Sequence, residues 1–258
     1  MKGLRLVGRS LRLLAVLVHG VLLALLLALV ERLWRGDRLA LRLRLTRRFH
    51  AALAAALPFR VTVIGEIPLE PRLWVGNHVS WTDIPLLGQL LPLAFLSKVE
   101  VRGWPVLGWL AAQGGTLFIR RGGGDSARVA EQLAERLRRP SALALFPEGT
   151  STDGTHVRPF HGRLLGSATQ AGVPLQPVAI RYLRDGRTDP ITPFIGDDDL
   201  ASHLRRLLSA DRAEVEIHLL PPIDSRGKSR GELALLSWQA VAVAAALGLA
   251  EPAVPAAA

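Results

Sequence analysis

From residue 13 to residue 30 the chain carries no charge: Leu-Leu-Ala-Val-Leu-Val-His-Gly-Val-Leu-Leu-Ala-Leu-Leu-Leu-Ala-Leu-Val. About 18 apolar residues in a row is the shortest helix that spans the hydrocarbon of a bilayer. Lys2, Arg5, Arg9 and Arg12 come before the run, as in a secretory signal, but no small-x-small cleavage site follows before Glu31 and Arg32. The segment therefore reads as a retained anchor rather than a leader. Between Glu31 and Arg48 there are seven arginines and two acids, which by the positive-inside rule puts the bulk of the chain at the cytoplasmic face of the inner (cell) membrane. A spanning helix and one lying in the interface both fit the run.

Leu41, Leu45, Phe49, Leu53 and Leu57 recur every four residues among Arg42, Arg44, Arg47 and Arg48. The spacing predicts a basic amphipathic helix on anionic lipid, although residues 41 to 45 also alternate Leu and Arg as a strand does. Pro58 closes the segment in either case. Beyond it, short apolar runs alternate with turn residues and helical stretches, the pattern of an α/β domain. Strands are expected near Val61 to Ile64, Leu73 to Val75, Phe95 to Ser97, Thr116 to Ile119, Leu143 to Phe146, Val178 to Ile180 and Val215 to Leu219. The clearest helix covers about Ser126 to Arg139, with Val129, Leu133 and Leu137 on one face, Asp125 or Ser126 as cap and Pro140 as stop. Another covers Leu233 to Leu247. The expected organisation is thus a membrane helix over 1–35, a basic amphipathic helix over 36–58, an α/β domain over 59–248 and a flexible tail over 249–258.

The formal charge of +10 favours anionic partners such as nucleic acid, acidic protein or a phosphate-bearing membrane. Helix-turn-helix, zinc-finger and aromatic RNA-binding signatures are not found, so nucleic acid is not the expected partner. With no cysteine in the chain, disulfides, thiolate metal sites and a cysteine nucleophile are excluded. Walker A, His-Glu-x-x-His and Gly-x-Ser-x-Gly patterns are also missing, which argues against a P-loop enzyme, a zinc peptidase and a conventional serine hydrolase.

The densest cluster of reactive residues is Gly76-Asn77-His78-Val79-Ser80-Trp81-Thr82-Asp83, just after the Leu73 to Val75 strand and just before Pro85, a residue tolerated in the first turn of a helix. On one continuous helix two residues five apart stand about 140° apart around the axis. A loop that ends in a helix start removes that obstacle. Asp83 can then accept from one imidazole nitrogen of His78 and leave the other to take a proton. An isolated His-x4-Asp arises often by accident, with the acid serving only as a helix cap, so the other blocks matter. Phe146-Pro147-Glu148-Gly149-Thr150-Ser151-Thr152 also leaves an apolar strand, where open α/β sheets place ligand crevices. Gly115-Thr116-Leu117-Phe118-Ile119-Arg120-Arg121 delivers two arginines to a Gly122-Gly123-Gly124 loop, where a guanidinium can fork onto phosphate. Val173-Pro174-Leu175-Gln176-Pro177-Val178 enters a further strand. Trp81, Trp104 and Trp109 suit either a headgroup belt or core packing.

Taken in order, these four blocks resemble the PlsC-like glycerolipid acyltransferases, the 1-acyl-glycerol-3-phosphate acyltransferases and their lyso-ornithine-lipid relatives. With Lys98, Glu100, Pro105 and Gly108 matching a linking segment of the family, the resemblance covers most of residues 60 to 220. It implies a mixed sheet flanked by helices and preceded by membrane-associated helices. It further implies that His78 is the general base and Asp83 its orienting partner. Arg121, with Arg120 and Lys98, would contact the substrate, and Glu148, Gly149 and Thr150 would belong to the acceptor site. Two positions depart from the family pattern: Arg120 replaces an acid, and Ser151 replaces a second phosphate-binding arginine.

The implied reaction moves a fatty acyl group from acyl-carrier protein or acyl-CoA to the sn-2 hydroxyl of 1-acyl-glycerol-3-phosphate. A thioester is already activated, so a base and a few N–H donors for the oxyanion suffice, with neither cofactor nor metal expected. The preference for this lysophospholipid acceptor rests on Arg121 and the Phe-Pro-Glu-Gly-Thr block. Acylation of lyso-ornithine lipid is the first alternative, and a membrane-attached acyl thioesterase using the same pair on water is the second.

Overall fold

The computed structural model describes residues 2–33, 38–120, 126–139 and 142–247. Two long helices come first, α1 (Lys2–Leu33) and α2 (Leu39–Ala56). Leu41 to Leu45 is helical, so the strand alternative for that stretch does not hold. The two helices pack closely where Gly20 lies over Phe49: a Cβ added at Gly20 would collide with the ring. The leucine row of α2 is used inside the protein. Leu53 is buried, Phe49 packs with Leu13 and Leu17 of α1, and Leu57 is buried past the helix end. The expected lipid-facing row of α2 thus faces α1, while Arg44, Arg47 and Arg48 remain exposed.

α1 has the opposite character. Leu4, Val7, Leu11, Leu14, Val18, Leu22, Leu25 and Leu29 are all more than half exposed. By length and composition it is long and apolar enough to cross a membrane. The helix runs through the basic turn that the sequence set apart from the apolar run. Arg5 pairs with Asp211, and Arg9 donates to the carbonyl of Leu208 at 2.9 Å, at the C-terminal end of the later helix α7 (Leu200–Ser209). A cation there meets unpaired carbonyls and the negative end of the helix dipole.

The remaining strands are β1 (Phe59–Ile64), β2 (Leu73–Gly76), β3 (Leu93–Lys98), β4 (Leu117–Ile119), β5 (Ala142–Leu145), β6 (Leu175–Arg184), β7 (Arg187–Thr188) and β8 (Ala213–Leu219). They form a mixed sheet in the order β1-β8-β6-β2-β5-β3-β4, with β7 paired to β6. β2 runs parallel to both β5 and β6, and among the described strands the β6–β8 and β6–β7 pairs are antiparallel. Side chains alternate between the two faces as a period of two demands. Leu73, Val75, Leu143 and Leu145 point to one core with α5 (Ser126–Leu137), α6 (Gly166–Ala171) and α8 (Arg230–Leu247). Trp74, Ala142, Ala144 and Val178 point to the other, against α2 and α3 (Asp83–Gly88). Both faces of β2 and β5 are buried, which explains why these strands are continuous apolar runs. The α/β reading of the sequence and its flanking helices match this architecture.

Val129, Leu133 and Leu137 are buried on α5 as expected. Its proposed cap Asp125 and stop Pro140 lie outside the described residues, as do the Gly122-Gly123-Gly124 loop and the tail over 249–258. α8 begins three residues before the apolar pattern does, because Ser229 and Glu232 form a capping box: Ser229 N donates to Glu232 Oε2 at 2.8 Å and Glu232 N donates to Ser229 Oγ at 3.2 Å.

Candidate active site

β2 ends at Gly76, and the chain leaves the sheet in a loop that becomes α3 at Asp83. Asn77 anchors the first residue of the loop. Its side-chain amide donates to Ile180 O at 2.9 Å and accepts from Ile180 N at 2.8 Å, so both ends of the side chain are tied to the backbone of β6. His78 follows at once and Asp83 closes the loop five residues later. Asp83 Oδ2 lies 2.7 Å from His78 Nδ1, so the loop and helix start bring the two side chains together.

Asp83 is fully buried and surrounded by donors. Oδ2 also accepts from Val79 N at 2.8 Å and Ser80 N at 3.1 Å, while Tyr182 Oη donates to Oδ1 at 2.6 Å. An environment made of donors alone suits an ionised carboxylate. Tyr182 in turn accepts from Thr82 Oγ1 at 2.8 Å. Burial, and next the charge of Asp83, push the Tyr182 phenol well above its ordinary range, so it remains a donor. With Asp83 accepting at Nδ1, the proton of a neutral His78 sits on that nitrogen and Nε2 carries the lone pair. Nε2 has no hydrogen-bond partner among the described residues. The ring is 23% exposed and lies flat on Phe146, with centroids 4.2 Å apart and planes 8° from parallel.

Phe146 opens the second loop, which leaves β5 beside β2 on the same edge of the sheet. Glu148 is buried, with both carboxylate oxygens engaged by backbone: Oε1 accepts from His78 N at 2.6 Å and Oε2 from Arg158 N at 2.7 Å. Thr152 N returns a bond to His78 O at 2.8 Å. The two loops are thus laced together around the imidazole, and Glu148 is spent on that lacing. Gly149 takes a left-handed conformation, φ +73°, open to glycine at little cost. Thr150 is half-buried beside it.

Burial pushes the Glu148 carboxyl above its ordinary value of 4.5, against the opposing pull of the bonds from Arg158 and His78. Glu148→Gln sets an NH2 group against one of those two donors, and the expected cost is about 1–3 kcal/mol of stability. A raised carboxyl contributes in full below its unfolded value and loses that contribution as pH rises through the folded value. The stability gap between wild type and Glu148→Gln should therefore narrow with rising pH. Denaturant midpoints across the acid-to-neutral range measure it.

The remaining sequence candidates sit farther along the same edge. Lys98 ends β3 and is exposed, and Arg120 follows β4 and is exposed. They lie two and three strands from β2 in the sheet order. Arg121 lies outside the described residues. Ser151, at the position of the second arginine, donates to Phe194 O. Sequence reasoning missed Tyr182, Phe146 as a ring platform, and Arg158, whose contribution is a backbone N–H and leaves no trace in side-chain pattern.

Next to this loop lies an apolar cavity of about 190 Å³. α1 contributes Leu13, Leu17 and Leu23, α2 contributes Phe49 and Leu53, and Trp81 and Ile84 close the side nearest the His78 loop. Trp104 lines it too, while Trp109 is 37% exposed. The three tryptophans are thus divided between cavity wall and surface.

Residues 59–181 match the family model described as Acyltransferase. A lyso-ornithine lipid O-acyltransferase of Pseudomonas aeruginosa is 59% identical over 244 residues, covering 95% of each chain. A 1-acyl-sn-glycerol-3-phosphate acyltransferase of Neisseria gonorrhoeae is 31% identical over 174 residues, covering 66% of this chain and 68% of its own. The crystal structure of the 1-acyl-sn-glycerophosphate acyltransferase PlsC from Thermotoga maritima superposes with a TM-score of 0.68, covering 95% and 96% of the two chains at 24% identity. That last likeness is one of fold.

Proposed function

The chain belongs to the PlsC-like acyltransferase family, and from that premise we propose that it moves a fatty acyl group from a thioester to the free hydroxyl of lyso-ornithine lipid. The observation that carries this acceptor is the 59% identity, over nearly the whole of both chains, to an enzyme of that name. It displaces lysophosphatidic acid, the preference drawn from the motifs, to second place. The engagement of Ser151 with Phe194 supports the same choice, since no second guanidinium for a phosphate stands at that position. Lysophosphatidic acid remains as the second reading, favoured by the relative at 31% identity and by the intact Phe-Pro-Glu-Gly-Thr block.

In this reading His78 Nε2 removes the proton of the acceptor hydroxyl as its oxygen attacks the thioester carbonyl carbon. Asp83 holds the ring and balances the imidazolium that forms. The tetrahedral intermediate collapses, the C–S bond breaks, and the thiol leaves with the proton that His78 had taken. The donor is the thioester of CoA or of acyl-carrier protein, and its acyl chain lies in the apolar cavity beside Trp81. α1 holds the protein on the membrane through its exposed leucines, with the catalytic body on the cytoplasmic face.

A lipid panel tests the acceptor. Purified protein with labelled acyl thioester is offered lyso-ornithine lipid, lysophosphatidic acid or neither. Acylated ornithine lipid is expected to form at least about tenfold faster than phosphatidic acid, a difference worth roughly 1.4 kcal/mol in the transition state. Phosphatidic acid as the faster product would move the assignment to the second reading, and free fatty acid alone in every tube would make the protein a thioesterase.

A further inference from the structure

Trp81 lies between the two members of the His78–Asp83 pair, yet its side chain is tied to a part of the chain that none of the four blocks contains. Its indole N–H donates to His203 Nδ1 at 3.1 Å, and His203 Nε2 donates to Thr192 O at 2.9 Å. One nitrogen of His203 accepts and the other donates, an arrangement only the neutral ring satisfies. His203 is fully buried, and desolvation holds it below its ordinary value. Its ring meets Trp81 and Phe194 edge-on, with centroids at 6.2 and 5.2 Å. Phe194 is itself bonded to the catalytic loop through Val79 O at 3.0 Å. Behind them Thr192 donates to the buried Asp189, which Arg184 holds at 2.8 Å. Leu200 and Leu204, either side of His203 on α7, line the apolar cavity that Trp81 also lines.

We propose that His203 is a positioning residue for acyl-chain selection: by clamping the indole of Trp81 it fixes the cavity wall beside His78 and so sets which acyl chains are delivered there. The proposal rests on the acyl-transfer reading of the site. An indole held at one edge by its N–H bond and met there by the His203 ring keeps a single rotamer. Released, it can swing, and the wall no longer discriminates chains by length. A fixed apolar pocket distinguishes chains differing by one methylene by about 10–200-fold.

The test compares kcat and KM for a series of acyl thioesters from ten to eighteen carbons in wild type, His203→Leu, His203→Asn and Trp81→Phe. His203→Leu removes the acceptor and should flatten the chain-length profile by about tenfold. It should do so chiefly by raising kcat/KM for poor chains relative to the best one. Asn presents an amide oxygen near the place of Nδ1 but cannot reach Thr192 in the same way. His203→Asn should therefore recover most of the selectivity while remaining less thermostable than wild type. A purely structural histidine predicts that selectivity and stability fall together in both variants. Trp81→Phe keeps an aromatic wall without the N–H and should resemble His203→Leu in profile, which guards against loss of folding in the latter. An unchanged profile in folded, active His203→Leu and Trp81→Phe overturns the proposal while leaving acyl transfer intact. Absence of acyl transfer by the wild type overturns both.

Discussion

His78→Ala is expected to lower the rate of acyl transfer by about 10³-fold, in the middle of the range contributed by a positioned general base. The fold should survive. Without the imidazole, Asp83 still accepts from Val79 N, Ser80 N and Tyr182 Oη, so no buried charge is left unpaired, and Phe146 loses one stacking contact. The stability change should stay within about 2 kcal/mol, typical of a substitution that leaves buried polar groups satisfied. Single-turnover transfer of labelled acyl thioester, with a thermal melt as control, measures both. Full turnover in a folded His78→Ala protein would remove His78 from the role of base.

Asp83→Asn is the second large effect, and the geometry separates its parts. An asparagine with its oxygen in the place of Oδ2 keeps the two backbone N–H bonds and the bond from His78 Nδ1. Its NH2 then faces Tyr182 Oη, which has to turn its own proton elsewhere. The loop and the histidine tautomer are retained, and what disappears is the negative charge that balances the imidazolium formed during transfer. A loss of about 10²–10³-fold in kcat is expected, with KM for the thioester little changed, since the charge matters only once the proton has moved. Asp83→Leu differs in kind: it strands two buried backbone donors and the Tyr182 hydroxyl, at about 1–3 kcal/mol apiece, and should fail to fold stably. If Asp83→Asn matched wild-type kcat, the carboxylate would be only a loop clasp.

β2 and β5 were legible as strands because both their faces are buried, which forces continuous apolar runs, whereas the exposed two-residue β7 carries no such run and was not foreseen. His78 and Asp83 were legible because a loop followed by a helix start is the local geometry that lets a five-residue spacing converge. What lay outside the sequence's reach depended on distant partners. α2 carries a row that reads as lipid-facing, and only the presence of α1 over Phe49 turns it inward. Arg5 and Arg9 read only as the basic flank of a membrane anchor, although their partners Asp211 and Leu208 are some 200 residues away. Tyr182 follows the alternation of β6 as one more buried strand residue, and its hydroxyl acquires meaning only where β6 passes beneath Asp83. His203 likewise looks like an ordinary helix residue until α7 is set against Trp81. Glu148 shows the converse: its block was recognisable, but its carboxylate turns out to hold backbone rather than stand free.

One wall of the cavity is the inner side of α1, the same helix whose outer side is a row of bare leucines. On the membrane reading, a hydrocarbon tail entering past that helix exchanges one oily surrounding for another. Each methylene carried through water instead would cost about 0.8 kcal/mol, or roughly 10 kcal/mol for a dozen of them. A form trimmed of its first thirty-odd residues would therefore keep its histidine and its carboxylate, and yet stand with a greasy trough open to solvent, soluble tails shunning the crossing and the trough itself inviting aggregation.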